Sequence, residues 1–217
     1  MNSAMSKIRM SEKFRRVLMT VFGVLIAGFS VGVLNFSAFG MDPFQVLAYG
    51  IWKHLSIDYG SFYLMLNLVM LVFIFFIDRH KIGLGTVINM FLLGYVVEFS
   101  TRLFQSFIPS PSVGLRILFL LIGIVVICFG LSLYFVGDLG VSTYGAVALI
   151  LSEKKVARFQ YCRIGSDLIC TALGYFLGAT VGIGTLITAF FMGPIIEVFN
   201  NKVSIPFRYG KQKSRTD

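Results

Sequence analysis

The feature that most constrains this chain is a long-range internal repeat inside strongly apolar sequence. Residues 82–99 read IGLGTVINMFLLGYVVEF and residues 181–198 read VGIGTLITAFFMGPIIEV. Gly83, Gly85, Thr86, Ile88, Phe91, Gly94 and Glu98 have identical counterparts in Gly182, Gly184, Thr185, Ile187, Phe190, Gly193 and Glu197. Shared hydrophobicity alone would match Leu, Ile and Val, whereas these matches include three Gly, a Thr and a Glu. Earlier in the chain Gly23, Phe29, Gly40 and Ala48 recur one hundred positions later as Gly123, Phe129, Gly140 and Ala148. Such self-similarity means one structural unit used twice.

The environment of that unit follows from composition. The chain has 217 residues, of which 57% are hydrophobic and 13% charged, with a mean hydropathy of +0.84. Soluble domains carry about a quarter of their residues as charges, so this chain reads as an all-α, multi-pass membrane protein. Six segments are long and apolar enough to cross a bilayer: 17–36, 61–77, 82–100, 116–136, 165–177 with flanks, and 182–199. Two more, 42–54 and 142–151, are apolar but too short, and read as re-entrant or interfacial helices. The first apolar run is read as a span and not as a secretory signal, because it is long and recurs inside the chain.

Topology follows from charge. With the N-terminus in the cytoplasm and three spans per repeat, all nineteen Lys and Arg except Lys53, Arg102 and Arg116 fall on the cytoplasmic side. Three is odd, so the second repeat enters from the opposite face, giving two inverted-topology repeats of three helices. The organisation is then a basic tail (1–16), a first membrane repeat (17–100), an external linker (101–115), a second membrane repeat (116–200) and a second basic tail (201–217). The expected location is a bacterial cytoplasmic membrane, with both termini inside. The net charge of +9 is dispersed in short clusters between apolar runs, which fits loops beside lipid and excludes a nucleic-acid-binding stripe.

Chemistry-bearing residues fall in three groups. Asp42-Pro43 and Ser142-Thr143 begin the two short helices with N-cap and first-turn signals. A helix N-terminus at membrane depth suits an anionic group, less so beside Asp42; interfacial bracing is the structural alternative. Thr86 and Asn89 share a helix face and have counterparts in Thr185 and Thr188. They are candidates for substrate binding, or for hydrogen bonds between helices. Asn67, which with Asp42, Ser142 and Thr143 is a further substrate-binding candidate, aligns with Asp167, and Asp167 lies one turn from Arg163. Asp167, Glu98 and Glu197 are candidates for proton coupling, with Glu98 and Glu197 about 25 Å along their spans and so near a membrane face. Cys128, Cys162 and Cys170 have no metal-ligand spacing, and the chain lacks GxSxG, HExxH, P-loop and dinucleotide motifs. No enzyme activity, cofactor or metal is expected.

The Gly23–Gly40 segment running into MDPF, its echo GVSTYG, and the IGLGTVINMFLLG/VGIGTLITAFFMG pair resemble the bacterial YczE/YitT group of membrane proteins, over nearly the whole chain except its charged tails. The resemblance implies an inner-membrane protein with a transporter-like role, and about five spans. Two inverted repeats in a bilayer with polar residues between them point to a small-solute transporter with its site near the midplane. The alternatives are a substrate-binding subunit of an ATPase-energised uptake complex, and a non-transport accessory or scaffold protein. The bilayer and a small solute are the expected partners, and both an ATPase partner and a homo-oligomer are compatible with the sequence.

Overall fold

The computed structural model describes residues 12–107, 111–157 and 159–209, and among them all regular structure is helical. Lys7, Arg9, Pro109, Ser110, Arg158, Lys211, Lys213 and Arg215, which enter the topology argument, lie outside the described residues. The helices are α1 (Glu12–Ser37), α2 (Pro43–Trp52), α3 (Tyr59–Asp78), α4 (Leu84–Phe107), α5 (Val113–Gly137), α6 (Thr143–Glu153), α7 (Phe159–Phe176), α8 (Ile183–Phe199) and α9 (Ile205–Tyr209). A 3₁₀ turn, Arg79–Lys81, follows α3, and a π-helical stretch, Asn200–Ser204, carries α8 into α9.

Five of these units are long and apolar enough to cross a membrane: α1, α3 with its 3₁₀ turn, α4, α5, and α8 continued through α9 to Tyr209. The sixth expected span, α7, is an 18-residue helix that carries Arg163 and Asp167. α2 and α6 are the short apolar helices, and they begin where their caps predict. The Asp42 carboxylate accepts from the Phe44 amide at 3.1 Å with Pro43 in the first turn, and the Ser142 hydroxyl accepts from the Gly145 amide at 3.2 Å.

The core forms where α1 crosses α5. The two run antiparallel, since Arg16 at the start of α1 reaches Gly137 at the end of α5, and Leu34 near the end of α1 meets Gly123 near the start of α5. At the crossing a side chain on Gly23 would place its Cβ 2.7 Å from the carbonyl oxygen of Gly130 and the amide nitrogen of Tyr134. Backbone therefore lies on backbone, as small residues allow between membrane helices. Val24, Ala27, Val31 and Leu34 of α1 bury against Leu120, Ile124, Ile127 and Tyr134 of α5. α4 lies along α1 through Gly28 and Gly32, and α8 lies along α5.

Contacts recur with the sequence repeat. The Gly184 amide donates to the carbonyl of Phe39 at 2.8 Å, and the Gly85 amide donates to the carbonyl of Leu139 at 2.6 Å. Ala38 and Asp138 both end their helices at positive φ, as do Gly40 and Gly140 just beyond. The Arg116 guanidinium donates to the carbonyls of Ser37 (2.8 Å) and Ala38 (3.3 Å), while Arg16 donates to those of Gly137 and Asp138. Each arginine thus neutralises the C-terminal end of the other half's first helix. That accounts for Arg116, one of the three cations outside the cytoplasmic set.

Candidate functional site

The N-terminal ends of α2 and α6 meet inside the bundle. The rings of Phe44 and Tyr144, repeat counterparts at the second position of each short helix, stack with centroids 4.7 Å apart and planes 12° from parallel. Polar groups from α3, α6 and α7 surround this contact. Thr143 Oγ1 donates to Asn67 Oδ1 at 2.5 Å, and Asn67 Nδ2 donates to the Tyr63 carbonyl at 2.8 Å. The Tyr144 hydroxyl donates to Asp167 Oδ1. Arg163 Nε lies 3.4 Å from the same carboxylate, with its guanidinium 4.4 Å from the Tyr144 ring centre. The Tyr59 hydroxyl donates to Gln45 Oε1, and its ring stacks on Tyr49 at 4.3 Å. Asp42 lies within electrostatic reach of both Arg163 and Asp167. Asn67, Thr143, Gln45 and Asp167 are each at most 5% exposed.

Two carboxylates, Asp42 and Asp167, thus lie within electrostatic reach of one guanidinium, which pairs with Asp167. The first-turn amides of Phe44 and Gly145 are already occupied by the Asp42 and Ser142 caps. An anion therefore gains less from these helix ends than the sequence suggested, and the excess negative charge favours a ligand with a cationic group.

Of the expected site residues, Asp42, Asn67, Ser142, Thr143 and Asp167 converge here. Thr86 and Thr185 do not. Thr86 Oγ1 donates to the Val141 carbonyl at 2.7 Å and accepts from the Gly83 amide, and Thr185 Oγ1 accepts from the Gly182 amide at 3.4 Å. They pin the segments that lead into α6 and out toward α8, which positions the short helices. Among the described residues Thr188 bonds only within its own helix, to the Thr185 carbonyl at 3.0 Å. Asn89 is 7% exposed and has no hydrogen-bond partner among the described residues. It stays a ligand-binding candidate, because no bond to the described residues occupies its amide.

The two glutamates differ from each other. Glu98 pairs with Arg102 and accepts from the Gly60 amide at 2.7 Å. Glu197 is exposed on α8, with no ion pair or hydrogen bond to the described residues. The helical run continues from Ile183 through Asn200 to Tyr209, and Glu197 lies about 21 Å along it from Ile183 by helical rise.

A separate cavity of about 480 Å³ opens beside the starts of α1 and α4, lined by Arg16, His80, Lys81, Asp138, Gly140 and Val141. It ends on Val141, the residue before the α6 cap. No group of three or more His, Cys, Asp or Glu residues suited to a metal ion occurs among the described residues.

Sequence reasoning missed Phe44, Tyr144, Gln45 and Tyr59. The available signal was the pairing of aromatic residues at Phe44 and Tyr144, one hundred positions apart and each two residues past a cap.

Comparison with known proteins matches a family model described as a family of unknown function (DUF6198) over residues 14–201. An uncharacterized protein of Haemophilus influenzae is 26% identical over 195 residues, covering 89% of this chain and 87% of that protein. The uncharacterized membrane protein YczE of Bacillus subtilis is 26% identical over 178 residues, covering 81% and 80%. The uncharacterized protein YyaS of Bacillus subtilis is 23% identical over 177 residues, covering 82% and 88%. No solved structure matches.

Proposed function

The chain belongs to the DUF6198 family of YczE-type membrane proteins, and from that premise we propose that it is a small-solute transporter of the bacterial cytoplasmic membrane. Its two halves are inverted repeats of three spans, with α7 as the sixth, and its solute carries a cationic group that binds between the N-terminal ends of α2 and α6. The observation that carries this reading is the convergence of Asp42, Asn67, Thr143 and Asp167 on the Phe44–Tyr144 stack. Broken or short helices meeting between repeats are where transporters of this architecture hold substrate. The antiparallel crossing of α1 and α5, which are repeat counterparts, supports the inversion. The Arg163–Asp167 pair supports a functional α7, because ionisable groups at membrane depth mark solute or ion pathways. Proton coupling through Asp167, next to the Tyr144 hydroxyl, belongs to the same reading.

The test is a thermal-shift screen of the detergent-purified protein against amines, amino acids and other small cationic metabolites, with anionic metabolites as the comparison set. At one hundred times its Kd a bound solute stabilises the folded state by about 2.7 kcal/mol, well within detection. The expected result is stabilisation by a member of the cationic set. Stabilisation by anions alone contradicts the charge argument. No shift by any solute, together with stable co-purification of an ATPase or another protein, replaces the transporter with a subunit or scaffold.

A further inference from the structure

The two halves differ in one contact, and the difference has the form of a switch. In the first half α3 closes on α4. A Cβ on Gly94 would lie 2.8 Å from Tyr63 Cβ, the Tyr95 ring covers Gly60, and Glu98 accepts from the Gly60 amide at the first turn of α3. In the second half the counterpart helices α7 and α8 touch little. Gly193, counterpart of Gly94, has nothing within 4 Å of where a Cβ would stand, and Glu197, counterpart of Glu98, is exposed and unpaired among the described residues. A carboxylate with no partner among the described residues, on an uncovered face of an apolar helix, is costly beside lipid, so this face has an occupant in some state of the protein.

We propose that the occupant is α7 of the same chain, and that Glu98 and Glu197 are alternating latches of the transport cycle. The first half supplies the template. Placed on α8 as α3 sits on α4, α7 sets Arg163 over Gly193, one turn from Glu197, and sets its first-turn amides against the Glu197 carboxylate. The sequence accommodates this docking. Arg163 replaces Tyr63 and brings the cation that Glu197 lacks. A second copy docking through the same face about a two-fold axis along the membrane normal would set Glu197 against the second copy's Glu197, a like-charge contact in low dielectric.

The direction of the switch follows from where the helices are joined. α3 and α4 are linked at Arg79–Gly83, so the Glu98 latch closes their opposite, outer ends. α7 and α8 are linked at 177–182, so the Glu197 latch closes their inner ends. The structure has the outer latch shut and the inner latch open, with the cavity beside Arg16 and Lys81 on the inner side. In the opposite state Arg163 moves from Asp167 and the Tyr144 ring to Glu197, which couples the latch to the central carboxylate. This inference rests on the transporter reading for its purpose, but its geometry can be tested without any solute.

The test is a pair of spin labels at Tyr161→Cys and Val198→Cys, both exposed positions outside the central site, with Cys128, Cys162 and Cys170 replaced by alanine or serine and the distance read by pulsed electron resonance in bilayer nanodiscs. The expected result is a long distance and a minor short one. Glu98→Gln raises the short fraction about tenfold and Glu197→Gln removes it, as loss of one charge-assisted bond on either side requires. Both variants are first shown to elute as the wild type does. A single distance that neither substitution changes overturns the proposal, and so does a distance in protein labelled at Val198→Cys alone, which places a second copy on this face. If the exchange is seen and no solute binds, the latch stands and the transporter reading fails; if solute binds and no exchange is seen, the reverse holds.

Discussion

Replacing Gly23 with leucine is expected to abolish recovery of folded protein from the membrane. Gly23 faces Gly130 at the crossing of α1 and α5, where a Cβ would lie 2.7 Å from a carbonyl oxygen and an amide nitrogen. Main-chain atoms in a packed helix cannot rotate away as a flexible side chain can, so the two helices must separate. Overpacking of a core costs about 1–3 kcal/mol. Here the cost falls at the upper end, because separation also breaks the contacts of Val24, Ala27 and Leu34 with Ile124 and Ile127. Gly165→Leu is the matched control, since nothing lies within 4 Å of a Cβ at that position, and it is expected to stay within about 0.5 kcal/mol of wild type. Size-exclusion profiles and thermal melts in detergent read both. Equal loss in the two variants would show that the crossing is not the centre of the fold.

The second large effect is expected at Asp167. Its carboxylate accepts from the Tyr144 hydroxyl, pairs with Arg163 and is 5% exposed. Asp167→Asn keeps the shape of the side chain and removes the charge. Truncating one partner of a buried hydrogen-bonded charge pair costs binding about 2–5 kcal/mol, so affinity for the cationic solute should fall at least about thirtyfold. Asp42 and Arg163 are left facing each other, and the protein still folds. Thr188→Val is the contrasting variant. Its hydroxyl reaches only the Thr185 carbonyl of its own helix, so both binding and stability should be close to wild type. Isothermal titration with a solute found in the thermal screen measures both. Equal losses at Thr188 and Asp167 would return the site to the row of polar residues on α4 and α8.

Much of the framework was legible because its signals are local. Asp42-Pro43 and Ser142 announce two short helices by side-chain chemistry within one turn, and both helices start there. Twenty-residue apolar runs and the doubled glycine motif announce the long ones. What the sequence concealed depends on contacts between the halves. Thr86 and Thr185 look like lining residues because they share helix faces with Asn89 and Thr188. Their hydroxyls instead serve the Gly83 and Gly182 amides and, for Thr86, the incoming Val141 segment, a partner 55 residues distant that no periodicity reveals. Arg116 counted only as a cation on the wrong side until its bonds to Ser37 and Ala38 showed it as the counterpart of Arg16. The last apolar segment reads as ending at Phe199. The π-helical turn carries the chain past that point, and Ser204 meets Ser132 at 2.5 Å on α5. The Asn67–Asp167 alignment did indicate shared depth, but the bond from Tyr144 to Asp167 required the tertiary meeting of α6 and α7.

Everything proposed about transport depends on the two halves entering the bilayer from opposite sides. Accessibility of single cysteines to a membrane-impermeant thiol reagent, in intact cells and then in inverted vesicles, measures this directly. The positions are Ser112 before α5, Lys155 after α6 and Lys202 near the end of the last span, in a chain whose native cysteines have been replaced. With inverted halves, Ser112 is labelled only from outside, and Lys155 and Lys202 only from the cytoplasmic face. Labelling of Ser112 and Lys202 from the same face would give the second half an even number of crossings and contradict the inversion.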